Sequence, residues 1–302
     1  MQDDNDIIAN RHLLFLEEIL TLHQFRILRM KFSKTLLIAS CTGVAMALQI
    51  IWGNIDLALF AFPVNIALLA ILVGGTYVLY QEKKESASFQ KWSDTSTSVL
   101  LLVIIGICCL LIAFVPSWKV QQAWPFNVLM LLLLNQLLIT IFRYKGPYRF
   151  RFHLNHIGLL LLVASLTFGA ADMHRWKAMV CVGDSIQTAY DYKGIPHALG
   201  YELKLKDFEV KYYDNGTPQH FDAEIEVDGE TQHLLVNYPW QKSWKEDIYI
   251  TNYGTMKENA QTYCIIEFIT QPWKHVTTAG LLLTALGASL LLWGKKSKNS
   301  KA

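Results

Sequence analysis

The chain has 302 residues, 52% of them hydrophobic, and a formal charge of +2. That charge averages basic connections against a mildly acidic segment, so it points to no partner, and no nucleic acid binding is read from it. The apolar residues come in blocks as long as a bilayer-crossing helix needs, which excludes a soluble chain and makes this a membrane protein.

The leader, residues 1–34, is charged throughout and has no uninterrupted apolar stretch before a small-residue cleavage site, which argues against a cleaved signal peptide. Ile7, Ile8, Leu13, Leu14, Leu16, Ile19, Leu20 and Leu22 predict an amphipathic helix on the cytoplasmic surface or against a partner. Six spans follow: Thr35–Trp52, Leu57–Tyr80, Ser98–Val115, Pro125–Phe142, His153–Ala171 and Thr277–Trp293, none with a Lys, Arg, Asp or Glu in its middle. Arg26, Arg29, Lys31 and Lys34 precede the first span. Lys83, Lys84 and Lys91 follow the second, Arg143, Lys145, Arg149 and Arg151 the fourth, and Lys295, Lys296, Lys298 and Lys301 the sixth. The opposite connections carry only Lys119. Positive flanks stay in the cytoplasm, so both termini are expected inside and the segment between spans five and six outside.

Asn135 and Gln136 sit near the middle of the fourth span, where amides bond neighbouring helices. In the fifth span His153 and His156 lie three residues apart, about 60° around a helix. His153, just after Arg151, reads as an interfacial residue. His156 is a turn deeper, and for it a packing histidine and a functional one both remain open. The chemistry that would use a neutral imidazole there is axial ligation of a haem iron between apolar walls.

Residues 172–274 leave the membrane pattern. YELKLKDFEVKYYDNGTP alternates polar and apolar positions up to Asn215-Gly216, a tight-hairpin pair. FDAEIEV runs to Asp228-Gly229, and QHLLVNYPW, DIYITNYG and TYCIIEFIT follow. The fold class is thus a polytopic α-helical membrane protein with six transmembrane helices and an extracytoplasmic, mainly antiparallel β domain between helices five and six. Cys181 and Cys264 lie in that domain, and a disulfide or two free thiols are both open. Cys-x-x-Cys is absent, which argues against thiol exchange. His174 and His275 flank the membrane on the outer side and read as ordinary exposed histidines.

From about Phe89 onward the chain resembles the ResB (CcsB) family of system II cytochrome c biogenesis proteins. The motifs are KWSDTSTSVLLLVIIGICCLLIAFVP, PFNVLMLLLLNQLLITIFRYK, HLNHIGLLLL, LKLKDFEVKYYDNGTPQHFDAEIEV, and VNYPW before IYITNYG. The resemblance implies a subunit that carries haem across the bacterial cytoplasmic membrane and presents it for covalent attachment to apocytochrome c. It implies a ResC/CcsA-like partner, transiently bound b-type haem, and a non-catalytic or co-catalytic place in a cytochrome c synthase (haem lyase) complex. By the same resemblance His156 is the axial ligand, with His153 as substitute or entrance residue. The implied organisation is a leader (1–34), two additional spans (35–80), ResB-like spans (81–171), the outer β domain (172–274), and a final span with a basic tail (275–302). The partner's tryptophan-rich outer motif is missing, and no catalytic residue is assigned to this chain. A non-catalytic scaffold whose outer domain binds a protein is the alternative. A transporter would show discontinuous helices, inverted repeats or several buried charges, and none is evident.

Overall fold

A computed structural model of the protein describes residues 34–235, 237–256 and 261–293. The expected amphipathic leader, apart from Lys34, and the basic tail lie outside the described residues. The helices are α1 (Lys34–Trp52), α2 (Val64–Lys83), α3 (Ala87–Trp92), α4 (Thr95–Phe114), α5 (Trp124–Arg143), α6 (Arg149–Phe168) and α7 (Lys274–Trp293). All but the short α3 are long and apolar enough to cross a membrane. On α4, Leu102, Ile107, Leu110 and Phe114 are exposed, as a lipid-facing surface requires. The second span starts seven residues later than its apolar run suggests. Leu57–Phe60 forms a 3-10 turn, and Pro63 bars its predecessor from helical backbone, so α2 begins at Val64.

Two compact units divide the described residues: 34–57, 67–163 and 283–293 form a helical unit, while 58–66 and 164–282 form the other. In the helical unit, amides tie helices together as their depth demands. Asn135 Oδ1 accepts from Trp92 Nε1 at 3.0 Å, its Nδ2 donates to Thr76 Oγ1 at 2.9 Å, and Gln136 Nε2 donates to the Trp92 carbonyl at 2.9 Å. At one end of α1, Lys34 pairs with Asp94 before α4. At its other end, Gln49 Oε1 accepts from Trp124 N–H at 2.9 Å and Ile55 N–H donates to the Gln122 carbonyl at 2.8 Å. The two connections poor in basic residues therefore meet.

The other unit holds one antiparallel sheet of β1 (His174–Cys181), β2 (Ser185–Tyr190), β3 (Pro196–Tyr212), β4 (Pro218–Val227), β5 (Glu230–Leu235), β6 (Trp240–Ser243), β7 (Glu246–Thr255) and β8 (Thr262–Thr270). Its order is β5-β4-β3-β2-β1-β8-β7-β6. Alternate residues bury one face: Leu203 and Leu205, Ala223, Ile225 and Val227, and Cys264, Ile266 and Phe268. The sheet curls, since β3 and β7 stand four places apart in that order yet touch. Phe208 and Tyr253 rings lie 5.1 Å apart, and Tyr201 of β3 donates its hydroxyl to Glu246 of β7 at 2.7 Å. The curl closes the sheet around its core.

Asp228 and Gly229 both take positive φ, 51° and 84°, as a two-residue hairpin turn requires. The Asn215-Gly216 hairpin forms with a wider turn than the pair alone suggests. Gly216 takes φ 78°, Tyr213 N–H donates to the Thr217 carbonyl at 2.9 Å, and Asn215 Oδ1 accepts from Thr217 N–H at 3.0 Å. QHLLVNYPW does not make a single strand. β5 stops at Leu235, Asn237 is left-handed at φ 63°, and β6 resumes at Trp240.

Cys181 and Cys264, the two cysteines of the sheet, are free and buried. Register explains why: Cys264 faces Val180 while Cys181 faces Tyr263, so the two side chains leave opposite faces of the sheet. Burial pushes the Cys264 thiol up to about 12, and burial followed by the Asp184 carboxylate raises Cys181. Burial and the Glu246 bond push the Tyr201 phenol above its usual range. The folded sheet thus holds protons that the unfolded chain releases. Their stabilisation is complete below the unfolded thiol value, about 8.5, and is lost as pH rises from there towards 12. We expect Cys181 and Cys264 of the native protein to resist iodoacetamide at pH 8, and the sheet to lose circular dichroism progressively above pH 9. Cys264→Ala should flatten the first part of that decline. Rapid labelling of native Cys264 would contradict this.

Candidate functional site at the start of α6

Three rings stand in a row where α5 hands over to α6. Tyr144 and Phe152 stack at 3.6 Å and 12°, and Phe152 and His156 at 3.8 Å and 20°. The second contact is an i, i+4 pair, so helical geometry alone puts the imidazole against the phenyl face. His153 lies edge-on to the same Phe152, with centroids 5.8 Å apart.

Hydrogen bonding separates the two histidines. His153 Nδ1 lies 2.7 Å from the Arg149 carbonyl and its Nε2 3.2 Å from the Ile141 carbonyl. A carbonyl only accepts, so both ring nitrogens of His153 face groups that call for a proton. His156 Nδ1 donates to the Phe152 carbonyl at 2.9 Å. That bond fixes the proton on Nδ1 and leaves the Nε2 lone pair available, the tautomer that ligates a metal. Among the described residues Nε2 has no hydrogen-bond partner, and the side chain is half-buried.

The helix bearing His156 is held against α7 by small residues. A Cβ at Gly158 would lie 2.4 Å from Thr284 N, and one at Gly287 would lie 2.4 Å from Asn155 N. Glycine lets the backbones approach, and polar groups then bridge them: Asn155 Nδ2 donates to the Thr284 carbonyl at 3.0 Å and Arg151 Nη1 to the Leu290 carbonyl at 3.2 Å.

His174, His197 and His275 have partners of their own. His275 Nε2 donates to the Trp244 carbonyl at 2.9 Å, and exposed His174 stacks at 6.0 Å on Trp176, which stacks at 4.8 Å on His197. Among the described residues no group of three or more His, Cys, Asp or Glu is placed to hold a metal ion.

Sequence reading missed Asp172. It lies at the end of the 3-10 turn that extends α6 and is 9% exposed. Its Oδ1 accepts from Phe62 N–H at 2.7 Å, and its Oδ2 accepts from Asn65 Nδ2 and Trp273 Nε1, each at 2.7 Å. Asn65 Nδ2 also donates to the Phe168 carbonyl at 3.1 Å. The available signal was an acid closing an apolar span with an amide opening another, two groups that cannot be buried unpaired. Asp172 is a structural clamp in this geometry.

Comparison with known proteins bears on the second half of the chain. A model described as the ResB-like family matches residues 145–285, a shorter stretch than the motifs from Phe89 onward suggest. No curated protein matches the chain. Among solved structures, one described as "Cytochrome c Heme Lyase CcmF" is similar at a TM-score of 0.36 and 13% identity, over 77% of this chain and 46% of that one. The chain thus spans less than half of that protein, and a likeness at this level says nothing of shared function. Residues 145–285, which carry His153, His156 and the whole β sheet, are a ResB-like region.

Proposed function

We propose that this chain is a membrane subunit of cytochrome c biogenesis that takes up haem at the start of α6 and passes it to the outer face for covalent attachment to apocytochrome c. The ResB-like region supports the general role. The observation that carries the finer reading is His156, whose Nδ1–H is spent on the Phe152 carbonyl and whose Nε2 is open. A lone imidazole beside a stacked phenyl suits a cofactor that brings its own equatorial nitrogens and a flat apolar body. When bound, haem would supply the iron and the vinyl groups that the acceptor's thiols attack. His156 would hold the iron from one side. Phe152 would set the ring orientation, and His153, with both nitrogens engaged, would anchor α6 to the end of α5.

In this reading the basic ends of the spans face the cytoplasm, the sheet lies outside the bacterial cytoplasmic membrane, and haem arrives from the side where α6 begins. Any further ligand for the iron, and the attachment site, would come from a ResC/CcsA-like partner. Cells whose only copy carries His156→Ala should accumulate the protein yet show at least a tenfold loss of haem-stained c-type cytochrome, while b-type cytochromes stay at their normal level. Normal cytochrome c in those cells would favour a scaffold that holds its partner through the β domain.

A further inference from the structure

The helical unit contains a cavity of about 520 Å³ walled by Tyr80, Lys84, Glu85, Phe89, Arg143 and Lys145. That volume is in the range of small-molecule sites. Its aromatic floor is built: Tyr80 meets Phe89 at 6.2 Å and Phe142 at 6.0 Å, and the short α3 is capped by Ser86, whose hydroxyl accepts from Phe89 N–H at 3.3 Å. Arg143 is aimed by its Nη1, which donates to the Ser93 carbonyl at 2.8 Å and to Ser93 Oγ at 3.1 Å. Among the described residues its other guanidinium nitrogens, Lys84 Nζ and Lys145 Nζ make no ion pair. A solvated basic rim would account for the lysines alone. It would not account for a concave volume with a fixed guanidinium and an aromatic base.

The cavity sits at the Lys/Arg-rich ends of α2 and α5, where a spanning helix meets the headgroup layer. Three cations against one carboxylate select an anion, and the abundant anion at that depth is a phosphodiester on an apolar tail. We propose that this cavity seats the headgroup of an anionic phospholipid. Arg143, Lys84 and Lys145 contact the phosphate oxygens, Glu85 accepts from a headgroup hydroxyl, and Tyr80 and Phe89 contact the glycerol backbone. This site is independent of the haem reading, because it uses neither His156 nor the partner.

The test is native mass spectrometry of the full chain released from detergent with phosphatidylglycerol or phosphatidylcholine of identical acyl chains. The wild type should retain phosphatidylglycerol at far lower lipid concentration. Lys84→Gln with Lys145→Gln should cut that preference about 25-fold, since each basic residue near an anionic surface contributes about fivefold. Lys84→Arg with Lys145→Arg should keep it. An unchanged thermal midpoint in the glutamine pair checks that the fold is intact. Equal retention of the two lipids by the wild type, or a preference unaltered by the glutamine pair, overturns the proposal. Millimolar inorganic phosphate that binds in place of either lipid, with no phosphatidylglycerol preference, also overturns it and assigns the cavity to free phosphate.

Discussion

Asp172→Leu should lower unfolding stability by about 3 kcal/mol or more, because three donors lose their acceptor inside the protein. Each buried donor left without a partner costs roughly 1–3 kcal/mol. The donors at stake are Phe62 N–H, Asn65 Nδ2 and Trp273 Nε1. Asn65 is fully buried, so water cannot easily replace the carboxylate. Asp172→Asn should cost less, since one oxygen can still serve Asn65 and Trp273 while the amide nitrogen faces Phe62 N–H. Intrinsic tryptophan emission of detergent-solubilised protein, to which Trp273 contributes, should shift at a lower temperature in the leucine variant, with the asparagine variant between. Equal midpoints for all three proteins would show that the clamp does not hold the fold.

The contact between α6 and α7 should be equally intolerant. Gly158→Leu puts its Cβ 2.4 Å from Thr284 N and 2.8 Å from Leu283 C, both backbone atoms that cannot rotate away. The helices must separate, and the Asn155 and Arg151 bonds to α7 go with the separation. Forced overpacking costs about 1–3 kcal/mol, and the lost bonds add to it. Gly158→Ala should be milder but still destabilising. Gly106→Ala on α4, whose Cβ meets nothing within 4 Å, should leave the thermal midpoint unchanged or raise it. Gly158→Leu with wild-type stability would mean that α6 and α7 do not meet at these glycines.

The spans were legible because hydropathy is a local property: a run without a charge in its middle has few other solutions. The largest shift of a span boundary, at the start of α2, fell where Pro63 interrupts an apolar run. Strands were legible where alternation is clean, as at Leu203 and Leu205 or at Cys264, Ile266 and Phe268. The curl that brings Tyr201 onto Glu246 was not, because it depends on strands distant in the sheet. Asp172 was hidden for the same reason, its three partners lying 110, 107 and 101 residues away. Spacing placed His153 and His156 together but could not choose between them. What distinguishes them in the structure is the Ile141 carbonyl, twelve residues before His153, which occupies the ring nitrogen that His156 leaves open.

That difference leads to the decisive measurement, the absorption spectrum of the chain purified together with a ResC/CcsA-like partner. The wild type should show a Soret band. His156→Ala should lose it and recover it with added imidazole, while His153→Ala should keep most of it. A wild-type complex without haem, or a band unchanged by His156→Ala, would contradict the assignment of His156 as the haem ligand.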